Sequence, residues 1–425
     1  MSESVDVDDS AMRRAWLVVA LLVPVALLNY LDRQMLAAMK TSVMADLSGI
    51  QTEADWGKVL ALFKWVYAFL SPIGGYLADR FSRRRVIAGS LFVWSAVTWL
   101  TGQVTTYEQL LATRALMGIS EAFYIPAALA LIADHHLGAT RSRAVGVHQM
   151  GIYAGVILGG FSGYIADDPA LGWRWAFHAC GLIGVVYALP LLFLLRDHRP
   201  DASAAVVKAP TTSPGAAIRE LLGNPSFLLL VLAFTLPALA GWVVRDWMPS
   251  ILKEQFGIGQ GKAGVSAALY WQCAAIIGAI FGGRLADRWM ERSDRGRINI
   301  SAIGIALIVP AILGVGFSPL TGQLWVAVAF LIVFGIGWGF FDCNNMPILC
   351  QIARPDLRAT GYGIMNLVSI SCGGLADWGF GLMRDRKLPL GMIFAVFSAA
   401  ALLSVVCVLL IQPREGKRPA LDPLD

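Results

Sequence analysis

Twelve blocks of about twenty predominantly apolar residues run through the chain, at roughly 14–39, 56–78, 86–103, 107–134, 142–166, 175–195, 226–251, 262–287, 298–318, 322–350, 358–383 and 389–411. A block of that length, wound as a helix, matches the hydrocarbon thickness of a bilayer. No other feature narrows the possible folds as much. In lipid every backbone N–H and C=O must be satisfied within a helix or a closed barrel. An outer-membrane barrel shows alternating stretches of about ten residues, and these blocks are too long and too continuous for that. The reading is an all-α membrane protein of twelve transmembrane helices. Composition agrees: the chain is 57% hydrophobic and only 15% charged, too little polar surface to clothe a water-soluble core.

The segments between the blocks set the orientation. Arg80, Arg83, Arg84 and Arg85 crowd one, and Arg288, Arg292, Arg295 and Arg297 crowd another, both on the side that holds the two termini. Basic loops stay in the cytoplasm, so a multi-pass protein of the cell inner (plasma) membrane with both termini cytoplasmic is expected. The net charge of +5 reflects this bias and implies no nucleic acid. The polar, acidic stretch Ser2–Asp9 before the first block does not read as a cleavable signal. Five segments follow: a leader (1–13), a first six-helix bundle (14–195), a hydrophilic cytoplasmic linker (196–225), a second six-helix bundle (226–411) and a tail (412–425). Cys180, Cys273, Cys343, Cys350, Cys372 and Cys407 all fall within blocks and lack metal spacing, so they read as small packing residues.

The two halves repeat. Gly74-Gly75-Tyr76-Leu77-Ala78-Asp79-Arg80 returns as Gly282-Gly283-Arg284-Leu285-Ala286-Asp287-Arg288, and Gly118, Glu121 and Pro126 keep their spacing in Gly339, Asp342 and Pro347. Internal repeats of this kind mark secondary transporters, whose substrate site lies at the repeat interface near the midplane. The segment Gly74–Arg84 resembles the signature loop of the major facilitator superfamily, and Arg114 with Gly118 resembles its fourth-helix motif. The resemblance implies the major facilitator fold, two six-helix bundles around a central cavity, and makes Asp79, Arg80, Arg84, Asp287 and Arg288 gating elements.

Within that superfamily the chain is similar to the anion:cation symporters. The likeness rests on Asn29-Tyr30-Leu31-Asp32-Arg33, on Arg114 with Glu121, and on Gly172-Trp173-Arg174-Trp175-Ala176-Phe177. It implies proton sites at Asp32 and Glu121 and a substrate-holding Arg33. Ser120-Glu121-Ala122-Phe123-Tyr124, with Arg141-Ser142-Arg143, resembles spinster-like lipid transporters equally well.

The ionisable residues align by helical spacing. Asn29, Asp32 and Arg33 share a face of the first span; Lys64, Tyr67 and Ser71 one of the second; Arg114, Gly118 and Glu121 one of the fourth. Charges at such depth are costly unless paired or hydrated. Protonation of Glu121 or Asp32 would free Arg33 to hold a substrate carboxylate with its planar fork. The bland alternative is a set of structural ion pairs. Lys64 reads equally as a substrate-binding cation or a snorkelling lysine. In the second half Gln272, Asp342, Asn345, Asn366 and Ser369 offer hydrogen bonds to a hydroxylated solute, and Gln149 joins them from the fifth span. Arg245 and Asp246 are expected to pair with each other at the outer rim. Gly151, Gly155, Gly159 and Gly163 form a close-packing stripe. His148 reads as a packing or hydrogen-bonding residue, and Asp134-His135-His136 as a helix cap rather than a metal site. No proline lies between Gly151 and Gly163, which counts against drug efflux.

No phosphate-cradling loop, nucleophile elbow or metal cluster is present, so no enzyme, cofactor or metal is expected. The expected function is proton-coupled symport of a small organic anion, a sugar acid or similar carboxylate, by a monomer embedded in lipid. The alternative is a spinster-like transporter of lysolipids or other amphiphiles.

Overall fold

The computed structural model describes residues 9–136, 139–197 and 214–413. These are helical almost throughout. The first half contains α1 (Asp9–Ala38), α2 (Lys40–Asp46), α3 (Glu53–Arg80), α4 (Arg83–Thr101), α5 (Tyr107–Glu121), α6 (Tyr124–His135), α7 (Ala139–Gly160), α8 (Ser162–Asp167) and α9 (Gly172–Leu194). A short α10 (Pro214–Leu222) precedes the second half: α11 (Pro225–Phe256), α12 (Gln260–Met290), α13 (Gly296–Phe317), α14 (Leu324–Ile352), α15 (Arg358–Asp385) and α16 (Leu390–Leu409). Each expected span falls on one long helix or on a stacked pair, α5 with α6 and α7 with α8. Among the described residues nine of these segments are apolar and long enough to cross a membrane by composition alone. The other three, α3, α4 and α15, carry charges at their ends and a polar face turned inward. The linker was read as hydrophilic chain, yet α10 is a helix within it. It buries Ala217 and Leu221, and its Glu220 reaches Arg354 at 3.4 Å.

The break between α5 and α6 has a local cause. Pro126 has no N–H to give the carbonyl of Ala122, and its ring crowds that turn. The helix stops at Glu121 and restarts at Tyr124, so Glu121 is the last residue of its segment. The matching Pro347 sits inside an unbroken α14. Helix packing relies on small residues. A Cβ on Gly151, Gly155 or Gly159 would run into the carbonyls of Val23, Leu27 or Leu31, so α7 lies backbone to backbone on α1.

We call the end bearing the two termini the terminal end and the opposite one the far end. The halves join at the far end. Met35, Trp56 and Leu60 of the first half share one buried cluster with Trp247, Met248 and Phe380 of the second. Val19, Leu22, Ile87 and Leu191 form a separate core within the first half. Two helix starts at the far end are completed across the seam. Asp385, at the end of α15, accepts from the backbone N–H groups of Glu53 (2.8 Å) and Ala54 (2.9 Å) at the start of α3. Asp167, at the end of α8, accepts from the Gly261 N–H (3.1 Å) and the Gln260 side chain (3.0 Å) at the start of α12. The first-turn N–H groups of a helix lack partners within it, and here each half supplies the other's. At the terminal end a Cβ on Gly146 or Gly363 would meet nothing within 4 Å. Arginines of the basic loops there pair within one half, as with Arg83 and Asp134 and Arg297 and Asp287 (3.0 Å). The molecule is therefore sealed at the far end.

Candidate functional site

Three helices of the first half bring the sequence-derived charges together. Arg33 of α1 donates from Nε to Glu121 Oε2 at 2.7 Å and from Nη2 to the same oxygen. Glu121 is fully buried, whereas Arg33 keeps 14% of its side chain exposed. The other carboxylate oxygen, Oε1, has no partner among the described residues. The guanidinium carbon lies 4.8 Å from the Tyr30 ring centroid, 4.6 Å from Phe63 and 5.1 Å from Tyr67. Three aromatic faces and one carboxylate thus hold Arg33, and cation–π attraction strengthens when water is excluded.

Asp32 sits one residue before it, buried, and accepts from the Thr98 hydroxyl at 2.9 Å. That hydroxyl also lies 2.9 Å from the Trp94 carbonyl. A hydroxyl has one proton and can also accept. Thr98 can donate to an ionised Asp32, or accept from a protonated one while donating to Trp94. Arg114 is buried and donates to Thr101 at 3.1 Å. Asn29 is buried with neither amide atom bonded to the described residues.

Lys64, on α3, reaches across the seam. Its Nζ contacts Asp246 of α11 and Asp377 of α15 together, and it lies 4.4 Å from the Trp242 ring. This corrects the expected Arg245–Asp246 rim pair: Asp246 turns to Lys64, while Arg245 lies over Tyr30 (5.6 Å) and Trp242 (5.1 Å). A cavity of about 30 Å³ lies between these groups, walled by Arg33, Phe63, Lys64, Arg114, Arg245 and Asp246. Its charged surroundings balance: Arg33, Lys64, Arg114 and Arg245 against Asp32, Glu121, Asp246 and Asp377.

The second half offers polar groups of varied exposure. Asp342 is exposed. Asn366 is half-buried, while Asn345, Ser369 and Gln272 are buried. The Gln272 amide nitrogen has no partner among the described residues. Gln149 is half-buried beside Tyr153. Trp271 and Trp338 are engaged with each other and with Phe334, and Trp338 fills the space over Gly241.

The remaining motif residues have structural surroundings. The Arg84 N–H donates to Asp197 at 2.9 Å. Arg80 is engaged in a contact of its own, Arg288 is exposed, and the Asp79 side chain lies outside the described residues. Gly172, at φ +72°, turns the chain into α9 so that Trp173 (2.9 Å) and Arg174 (2.6 Å) both clasp Asp46. His148 lies 2.8 Å from the Tyr124 hydroxyl, which donates to the Leu22 carbonyl at 3.1 Å. The histidine Nε2 must then be the donor in that pair. His136 packs edge-on to Trp16, and no metal-binding cluster occurs among the described residues. Reading by helical face missed Asp377, Tyr30 and Phe63. A lone acid inside a span is the signal that could have flagged the first.

The family profile described as Major Facilitator Superfamily matches residues 22–376. An MFS-type efflux pump of Mycolicibacterium smegmatis is 30% identical over 383 residues, covering 89% of this chain and 86% of that one. The human protein spinster homolog 1 is 34% identical over 398 residues, covering 88% of this chain and 74% of that one. Among solved structures, an inward-facing, unoccupied bacterial homologue of the human lysosomal transporter spinster superposes with a TM-score of 0.75 at 20% identity, over 94% of this chain and 95% of that one. A D-xylose–proton symporter gives a TM-score of 0.75 at 17% identity, over 94% and 98%.

Proposed function

The chain belongs to the major facilitator superfamily, and from that premise we propose that it is a proton-coupled transporter of a solute bearing an anionic group. The observation that carries the reading is the pair of Arg33 and Glu121: the acid is fully buried and the base is partly exposed at a cavity wall. An ionised Glu121 occupies the Arg33 fork. A proton on Glu121 removes that competitor and leaves an uncompensated guanidinium, which a carboxylate or phosphate can satisfy with two hydrogen bonds. Proton and anion therefore load together. Asp32 is the second acid of the same face, and Thr98 serves it in either charge state. From the second half, Asp342, Asn345 and Asn366 are the groups proposed to hydrogen-bond the solute. The basic loops favour a terminal end in the cytoplasm of a cell inner membrane. With that orientation the far-end seal makes this a cytoplasm-facing state, and the working unit proposed is a monomer.

Two solute classes fit Arg33. The helix-1 pattern favours a small organic anion such as a sugar acid. The spinster likeness read from the sequence implies an anionic amphiphile such as a lysolipid, and the identity to spinster homolog 1 moves this second class to first place. The test uses proteoliposomes holding a pH-sensitive dye, given pools of lysolipids, sugar acids, short monocarboxylates, neutral sugars and organic cations, with Glu121→Gln as control. A proton flux triggered by one anionic pool and lost in Glu121→Gln supports the reading. Flux from a neutral or cationic pool, or full flux in Glu121→Gln, overturns it. The sign of the flux under an imposed gradient separates uptake from the export that the mycobacterial relative's name describes.

A further inference from the structure

Lys64 faces two carboxylates, and both belong to the other half. The Lys64 side chain is 5% exposed, Asp246 10% and Asp377 0%. Asp377 Oδ1 has no partner among the described residues. The charges around the cluster are Arg245 on α11, Arg33 on α1 and Arg114 on α5, which line the same cavity, with Asp32 and Glu121 behind them, and Lys40, which lies 4.7 Å from the Trp247 ring and pairs with Glu53. Opening the far end must draw α3 away from α11 and α15. The one lysine would leave with the first half, and the two carboxylates would remain together on the second.

We propose that Asp246 and Asp377 form a second proton-binding site, in which a proton and the Lys64 ammonium compete for the same carboxylates. With Lys64 withdrawn, two acids side by side cannot both stay ionised at low cost, and one takes a proton from the far-side solution. On closure Lys64 returns, and the carboxylic acid gives its proton to water and becomes the carboxylate of the ion pair. The adjoining cavity provides the exit. At about 30 Å³ it exceeds the volume one water needs, and Arg33, the partner of Glu121, lies on its wall. This deepens the transport reading but rests on separate residues, and so has a separate test.

Protons should favour the open far end, because they replace Lys64 there. The full-length protein in lipid nanodiscs, with exposed Cys273 replaced by serine, would carry spin labels at Lys58 and Lys387, exposed positions on α3 and just beyond α15. Distances between them are read from pH 5 to pH 9. The expected result is a far-end distance that lengthens on acidification. Asp377→Asn should remove this response and hold the long distance at every pH, and Lys64→Gln should do the same. Asp246→Asn provides a second variant should Asp377→Asn fail to fold. Glu121→Gln should keep the response. An unchanged response in both aspartate variants overturns the proposal, as does a wild-type distance that ignores pH. Loss of the response in Glu121→Gln alone would assign it to the first proton site instead.

Discussion

Arg33 gives two nitrogens to one oxygen of Glu121 and lies among three rings, so its shape matters as much as its charge. Lysine would keep the charge but lose the planar fork and the broad face that stacks on aromatics. In the vesicle assay Arg33→Lys should lower transport efficiency at least about tenfold, equivalent to about 1.4 kcal/mol, with little change in melting temperature. Transport within about twofold of wild type would show that charge alone suffices. The sequence disclosed Asp32, Arg33, Arg114 and Glu121 because each shares a helical face with its neighbours. It did not disclose Asp377, whose partner Lys64 is 313 positions away, since helical spacing says nothing about which faces of different helices meet. It misassigned Asp246 for the same reason: adjacent opposite charges invite pairing, but neighbours in a helix point about 100° apart.

The break after Glu121 is where one helix prepares the chemistry. Pro126 costs the helix a hydrogen bond to Ala122, and the gap frees the end of α5 to set Glu121 under Arg33. Pro126→Ala should join α5 to α6, raise the melting temperature and slow proton-coupled transport. A variant that melts lower, or one that transports at the wild-type rate, would show that the break has no such role. The spans were legible because bilayer thickness fixes their length. The break in the fourth span was not, since a proline in the matching repeat leaves α14 continuous, and the outcome depends on what surrounds the freed carbonyl. The glycine stripe was legible as packing, and its partners, the α1 carbonyls, came only with the structure.

Across the whole molecule the far end is held by reciprocal caps, Asp385 on the start of α3 and Asp167 on the start of α12. A side-chain cap is worth about 1 kcal/mol, and a carboxylate gains further from the helix dipole. Asp167→Asn and Asp385→Asn should each shift the molecule toward the far-end-open form, and together the shifts should add, because the caps lie on separate seams. Cysteine-accessibility rates at far-end positions would measure this, and rates no faster than wild type in the double variant would sink the idea. The repeated halves and their joint cavity were legible in the sequence. The seam was not, because helical spacing says nothing about which helix start of the other half Asp167 and Asp385 meet.

Those caps have a consequence for the membrane's energy supply. The caps are made by groups of the two halves themselves, so in the proposed transport cycle they help hold the far side shut. A carrier built this way can rest shut against the compartment that stores the ion gradient. Many idle copies can then populate a membrane without short-circuiting it.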